Sequence, residues 1–514
     1  MVETEDRGSI VKSTLQVSVA VLIIKILGVL KQSLVAAFYG ADSQTDAYFV
    51  ATGVIVSLCS VIFSAISISL LSMHSDRLIK VGRKSSNNLI NVVLRVFIPI
   101  SVLIALLFYF GSSLVSKILA PSYTGQQLTL LSHLISVMSP MFVFTCYYLI
   151  INVVLETDKI FLPGKGQGFF QNLFVCIAAV LGSKTFGIRT LVYAFLLAGI
   201  AQCIQITFNA RKKVKFVRHV NPESAAIKKL LELSFPLIIG NAIYEINDIV
   251  DKQISTGLGH GNVSFLSYGA SINEMVTTLI IQSVSTVLFS HYATWVAEKD
   301  YQRVGDNFKH SIEALVAIIM PVMIMCFVCG TNIVGILYGR GNFGNNEIMN
   351  TASVVYGYAC GFLFQATRAT LVRIYYAFQN TKTPMINGAI SVVLNICMSI
   401  ALSRVIGVGG VALATSISMF IVSALLFPGV KKYIPGFSMR STIPQIIRTL
   451  ASSAITCVIA VIIRYFLHTN IYVSFVVIGL VVVAVYSILG FIFKIRTVTE
   501  IYERVISKAR KREY

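Results

Sequence analysis

Ile471–Phe493 reads IYVSFVVIGLVVVAVYSILGFIF, 23 residues without a charge, closed by Lys494. A helix of that length crosses the roughly 30 Å hydrocarbon core of a bilayer. Working outward from it toward the N-terminus, comparable apolar stretches recur at 444–467, 408–428, 384–404, 350–376, 307–332, 262–292, 231–255, 188–209, 168–183, 127–152, 89–112, 46–72 and 9–38. That makes about fourteen spans. Of 514 residues, 56% are hydrophobic and 12% charged, where a soluble domain carries about 25% charged residues. The expected fold class is an all-α polytopic membrane protein.

The net charge of +20 invites a nucleic-acid reading, but the charge is laid out along the spans. Counted from a cytoplasmic N-terminus, the inward gaps hold Arg77, Lys80, Arg83 and Lys84, then Lys159 and Lys165, then a basic run from Arg211 to Lys229 that includes Lys213 and Arg218. Lys299, Arg303, Lys309, Lys382, Lys431 and Lys432 follow, and the tail adds Lys494, Arg496, Arg504, Lys508, Arg510, Lys511 and Arg512. Outward gaps hold little beyond Lys117, Lys184, Arg189, Arg340, Arg404 and Arg464. This is the positive-inside pattern. It places both termini in the cytoplasm and makes the anionic lipids of that leaflet the expected neighbours, rather than nucleic acid. The acidic start, Met1–Arg7, lacks the basic n-region of a secretory signal, so the first span is expected to be retained.

Motifs for metal or covalent chemistry are weak. The nine cysteines fall almost entirely in apolar stretches, where a free thiol packs as a small hydrophobe. Cys326 and Cys329 form a C-x-x-C on a predicted span with no second pair or histidines at zinc spacing. His74, His133, His219, His260, His291, His310 and His468 are scattered. Gly339–Phe343 is Gly-rich but lacks the Lys-Ser/Thr of a phosphate-binding loop, and reads as a turn. No gap exceeds roughly 25 residues, too few for an independently folding catalytic domain. No metal, cofactor or enzyme activity is expected.

Two echoes reveal a duplication. Lys31-Gln32, Gly40 and Tyr48 are matched by Lys252-Gln253, a Gly-rich stretch to Gly261, and Tyr268, at an offset of 252 − 31 = 221. Leu155–Lys159 before Pro163 is matched by Phe378–Lys382 before Pro384, at 382 − 159 = 223. Six spans per half keep the halves in one orientation, related by an axis along the membrane normal. The expected organisation is an N-terminal lobe at 1–210, a basic cytoplasmic linker at 211–230, a C-terminal lobe at 231–430, and two further spans with a basic tail at 431–514.

Charges inside spans cost several kcal/mol at the bilayer centre and point to cavities or partners. Glu245, Asp248 and Lys252 stand at i, i+3 and i+7 of the seventh span, on one helical stripe, with Asp251 adjacent. Lys25 and Lys31 flank Gly28 in the first span, Asp46 opens the second, Glu274 lies in the eighth, and Arg368 and Arg373 close the tenth. Lys31, Asp46 and Arg373 sit near helix ends, where snorkelling to the interface is the alternative. For the stripe of the seventh span the alternative is a mutually neutralising ion pair that only holds the halves together.

Several stretches resemble the MurJ/MviN lipid II flippases of the MOP exporter superfamily. They are Leu27-Gly28, Ala36–Ala41 and Thr45–Ala51, followed in order by Tyr338–Phe343, Tyr376–Pro384 and Gly409–Ser416. The resemblance covers essentially the whole chain. It implies two lobes around a central cation-lined cavity and a groove for the lipid tail along the last two helices. Where the family typically carries Arg in the first helix, this chain has Lys25 and Lys31, which keep the charge without the bidentate fork suited to a diphosphate. Where it tends to have Leu-Pro-Asn and an Arg pair, this chain has Ile55, Val56, Cys59 and Ser60, and its Asp-Arg near Tyr268 is replaced by Ala270-Ser271.

The resemblance implies a flippase that moves a polyprenyl-diphosphate-linked saccharide, lipid II or a related lipid-linked oligosaccharide, to the outer leaflet of the bacterial cytoplasmic membrane. Its product would feed peptidoglycan or another cell-envelope polysaccharide. Lys25, Lys31 and Lys252 would attract the diphosphate; Asp46, Glu245, Asp248, Asp251 and Glu274 would balance them or bind a coupling cation, with the membrane potential as the other drive. A cation-coupled multidrug antiporter of the same superfamily is the alternative, favoured by an acidic rather than lysine-paired cavity. A polytopic polyprenyl-lipid transferase is the third, and normally needs a large extracytoplasmic loop.

The topology is tested by cysteine labelling in intact cells. A cysteine at Lys213 is expected to resist a membrane-impermeant thiol reagent while one at Asn342 is labelled; the reverse pattern inverts the assignment.

Overall fold

At hydrocarbon depth every backbone N–H and C=O needs a partner within the chain, and a helix supplies it locally. The structure is a computed structural model that describes residues 2–183, 187–217, 223–434, 437–467, 469–500 and 502–503. Among them every regular element is helical. Lys184, Arg218, His219, His468, Arg504, Lys508, Arg510, Lys511 and Arg512 lie outside the described residues.

The first ten α-helices are α1 (Val2–Tyr39), α2 (Ser43–Cys59), α3 (Ala65–Lys80), α4 (Arg83–Phe110), α5 (Ser112–Leu119), α6 (Gly125–Met138), α7 (Met141–Thr157), α8 (Gly166–Gly182), α9 (Arg189–Ala210) and α10 (Ser224–Thr256). There follow α11 (Asn262–Val276), α12 (Ser283–Ala297), α13 (Tyr301–Tyr338), α14 (Asn345–Ala359), α15 (Phe362–Ala377), α16 (Lys382–Ile406), α17 (Val408–Tyr433), α18 (Ile443–Phe466) and α19 (Ile471–Ile492). Ten helical stretches among the described residues are long and apolar enough to cross a membrane, from Gln16–Tyr39 to Ile471–Ile492. The remaining expected spans are helical too, but differ in kind. α8 has only 17 residues, and α10 carries Lys228, Lys229, Glu232, Glu245, Asp248, Asp251 and Lys252. The other two are each built from two shorter helices, α11 with α12 and α14 with α15.

The duplication is written into the backbone. Left-handed residues recur at the turns: Gly40 and Gly259 lie 219 apart, Gly82 and Lys299 217, Gly125 and Gly341 216, Lys159 and Gln379 220, and Gly187 and Gly407 220. A widened π turn also interrupts matching spans, at Ser60–Ser64 between α2 and α3 and at Thr277–Gln282 between α11 and α12. Such turns insert one residue and concentrate at functional sites.

The chain packs as two compact units, Met1–Ser264 with Arg340–Gly344, and Phe265–Gly339 with Asn345–Tyr514. In the first, α1 lies on α8, α8 on α9, α4 and α9 on α7, and α10 on α2 and α3. The seventh span, placed by the sequence in the second lobe, thus packs with the first. Ion pairs tie the loops of this unit: Arg83 donates to both Asp158 oxygens at 2.6 and 2.7 Å, Lys213 approaches Asp158 at 3.2 Å, and Arg77 donates to Glu223 at 2.5 Å. Several of the basic loop residues are therefore engaged by the protein's own carboxylates. The Arg83 guanidinium holds the Asp158 carboxyl below the usual carboxylate range, against burial, with Lys213 adding to it. A carboxylate held low stabilises the fold above its unfolded value of about 4, and that contribution is lost as pH falls through the folded value.

In the second unit α16 packs on α17, which also receives α14 and α15. Its core gathers Tyr292, Phe308, Leu371, Tyr375 and Leu426, with the Tyr375 hydroxyl donating to Leu426 O at 2.7 Å. α18 and α19 pack together on α13, where Cys329 is buried among Ile324, Val328, Ala460 and Ile478. Its thiol is a packing group.

The Arg340–Gly344 turn docks on the end of α1. Asn342 N donates to Ala37 O at 2.9 Å and Asn342 Nδ2 to Phe38 O at 2.8 Å, satisfying carbonyls that the helix terminus leaves open. Gly341 has φ +59°, and a Cβ there would run into Ala37 O, whereas one at Gly125, φ +54°, would meet nothing within 4 Å. Gly341→Ala is therefore expected to cost about 3 kcal/mol and Gly125→Ala about 1 kcal/mol. Thermal unfolding of the purified variants in detergent measures the difference, and equal losses would show that the docking contact is dispensable.

Candidate substrate-binding site

The stripe on α10 lies in the seam with α2. Lys252 Nζ donates to Asp248 Oδ2 at 2.6 Å, one helical turn away; the lysine side chain is 14% exposed and the aspartate 49%. Space for the lysine comes from Gly53, where a Cβ would overlap Nζ. One turn further along α2, Ser57 Oγ donates to Glu245 Oε2 at 2.5 Å. Two small residues at i and i+4 of α2 thus meet two charges at i and i+7 of α10. Asp251 is buried, and Asn247 Nδ2 donates to it at 3.2 Å.

The other expected site residues are distributed. Lys25 and Lys31 are partly buried on α1, which is seated on α8 by Asn172 Nδ2 donating to Ile24 O at 3.0 Å and by Gly28 facing Asn172. Glu274 stands exposed on α11 in the second unit. Arg373 lies over the Phe289 ring at 5.5 Å from its centroid. Asp46, expected as a cavity acid, has no exposed surface. Its Oδ2 accepts from Gly261 N at 2.6 Å, and its Oδ1 from Ser264 N at 2.8 Å and Ser264 Oγ at 2.6 Å. Both oxygens are spent on the N-terminal turn of α11, where orphan N–H groups and the helix dipole favour an anion.

Beside the seam, the first unit has a partly open cavity of about 310 Å³ lined by Ile55, Val56, Cys59, Ser60, Ser64, Met141, Thr145, Leu149, Gln167, Gly168 and Gln171. None of these carries a charge. Gly53, Ser57, Gln167 and Gln171 went unnoticed in the sequence; the only signal was the run of small residues from Gly53 through Ser57 and Ser60 to Ser64 at helical spacing.

The geometry meets known proteins at this point. The family profile described as lipid II flippase MurJ matches residues 35–486. The chain belongs to the MurJ lipid II flippase family. A relative described as a probable lipid II flippase from Treponema pallidum is 24% identical over 461 residues, 87% of this chain and 85% of the relative. Another from Thermotoga maritima is 23% identical over 500 residues, 96% of this chain and 99% of the relative. Among solved structures, a lipid II flippase MurJ in an inward closed conformation superposes with a TM-score of 0.80 at 25% identity, covering 93% of this chain and 98% of that one. An inward-facing multidrug resistance MATE transporter of the MOP superfamily gives 0.71 at 12% identity, covering 84% and 99%. That second likeness is one of fold. Cys59, at the end of α2, and Ser60, in the π turn that follows, both lie on the cavity wall.

Removing Asp46 separates capping from transport. Asp46→Ala orphans two buried N–H donors and is expected to cost roughly 3 kcal/mol, Asp46→Asn about half, while the folded fraction keeps its transport rate. A variant of undiminished thermal stability that no longer transports would return Asp46 to the site.

Proposed function

We propose that this chain flips lipid II from the inner to the outer leaflet of the bacterial cytoplasmic membrane by alternating access, supplying peptidoglycan synthesis. The match of residues 35–486 to the flippase family carries this reading. Both termini are cytoplasmic in this reading. Lys25, Lys31 and Lys252 attract the diphosphate, and no covalent chemistry is required of the protein.

The seam supports a specific exchange. In the absence of substrate Lys252 is neutralised by Asp248 at 2.6 Å, so no isolated charge is left at membrane depth. A diphosphate carries more negative charge than one carboxylate and, in a partly dehydrated site, competes for the ammonium. Asp248 is then released beside Glu245 and Asp251. Three acids and no bound lysine favour uptake of a cation or a proton, which couples substrate entry to an ion or to the membrane potential. Release on the other side restores the Lys252–Asp248 pair and resets the site.

A strain depleted of its lipid II flippase provides the test. The parent chain is expected to restore growth; Lys25→Ala and Lys252→Ala are expected to fail at normal membrane abundance, and Lys25→Arg to succeed. The double variant Asp248→Asn with Lys252→Gln preserves neutrality, so it is expected to fold yet remain inactive. Near-parental rescue by the double variant makes the pair structural, and failure of the parent chain removes lipid II.

A further inference from the structure

The cavity in the first unit differs from the charged seam beside it. It is formed where the π turn Ser60–Ser64 widens the helix between α2 and α3, opposite α7 and the first turns of α8. Its polar groups are Ser60, Ser64, Thr145, Gln167 and Gln171, and it holds no ionisable carboxylate or ammonium. Gln171 Nε2 is enclosed by protein and has no hydrogen-bond partner. A buried amide donor without a partner is costly, and a cavity with a few convergent polar groups beside apolar walls is a ligand site in form. At about 310 Å³ it stands at the small end of ligand pockets, the size of a single ring or amide-bearing group.

Charge decides what it holds. A diphosphate placed there would find no cationic side chain in the lining to compensate its charge. A hydroxyl- and amide-bearing neutral group instead finds serine, threonine and glutamine side chains along the lining.

We infer that the cavity between the π turn of α2/α3 and α7/α8 is a saccharide subsite, receiving a neutral hydroxyl- or N-acyl-bearing sugar ring while the lysines hold the diphosphate. This rests on the flippase reading above and assigns the two chemistries of one substrate to separate places. Cys59 and Ser60 are part of a lining that carries no charge, which leaves the saccharide place neutral. Gln171 and Ser60 then select among lipid-linked saccharides.

The test compares two ligands on the full-length protein in nanodiscs: lipid II, and undecaprenyl diphosphate without a sugar. Gln171→Leu is expected to weaken lipid II binding about tenfold, the scale of a lost buried hydrogen bond, and to leave the sugar-free lipid unchanged. Its melting temperature is expected not to fall, because Nε2 has no partner to lose; a purely structural glutamine would lower it. Ser60→Ala with Ser64→Ala is the second variant, expected to show the same selectivity. Lys252→Ala is expected to weaken both ligands. Equal binding of lipid II by both polar variants and the parent, or equal weakening of both lipids, overturns the subsite alone. A parent that binds neither lipid overturns the flippase reading, and the subsite with it.

Discussion

A largely buried ammonium group is costly without an anion beside it, and Lys252, 14% exposed, has Asp248 at 2.6 Å. Much of the first unit follows from accommodating that pair. α10 must lie close to α2, so α2 presents Gly53 where the lysine passes and Ser57 where Glu245 needs a donor. Neither charge could be seated against a leucine or phenylalanine at those positions without moving the helices apart. In the proposed exchange the lysine would pass from one anion to another rather than being stripped bare.

The spans were legible because a bilayer demands long apolar runs, and the chain order of turns was legible because duplicated halves reuse the same left-handed positions. What the sequence could not say is which unit a span joins. The basic linker before α10 looks like a boundary, yet membership is decided by Gly53 and Ser57, some 190 residues earlier in the chain. Asp46 shows the same limit. As a lone acid near a helix start it reads as a site residue, but its partners, Gly261 and Ser264, lie 215 and 218 residues away. Lys252 and its carboxylates were legible because mid-span charge is rare. Gln167 and Gln171 were not, because an uncharged polar residue in a membrane helix more often serves packing, and only the cavity beside them gives them a different standing.

The resemblance implies arginine where this chain carries Lys25 and Lys31, and the proposed exchange accounts for the difference. Lysine is a compact point charge on a flexible stem, able to let go of one anion for another, whereas arginine binds a phosphate with a rigid fork. In the proposed exchange, a lysine with acids close by trades tightness for release.

The π turns carry a consequence for how the spans can evolve. One extra residue rotates everything beyond it by about 100° around the helix axis, so α2 and α3, though continuous, address different neighbours before and after Ser60–Ser64. Deleting a single residue there would restore a regular helix and turn the whole face of α3 away from α7 and α10, on which it now packs. A point substitution alters one group of the cavity lining, whereas a change in length at this position would re-aim half a span at once.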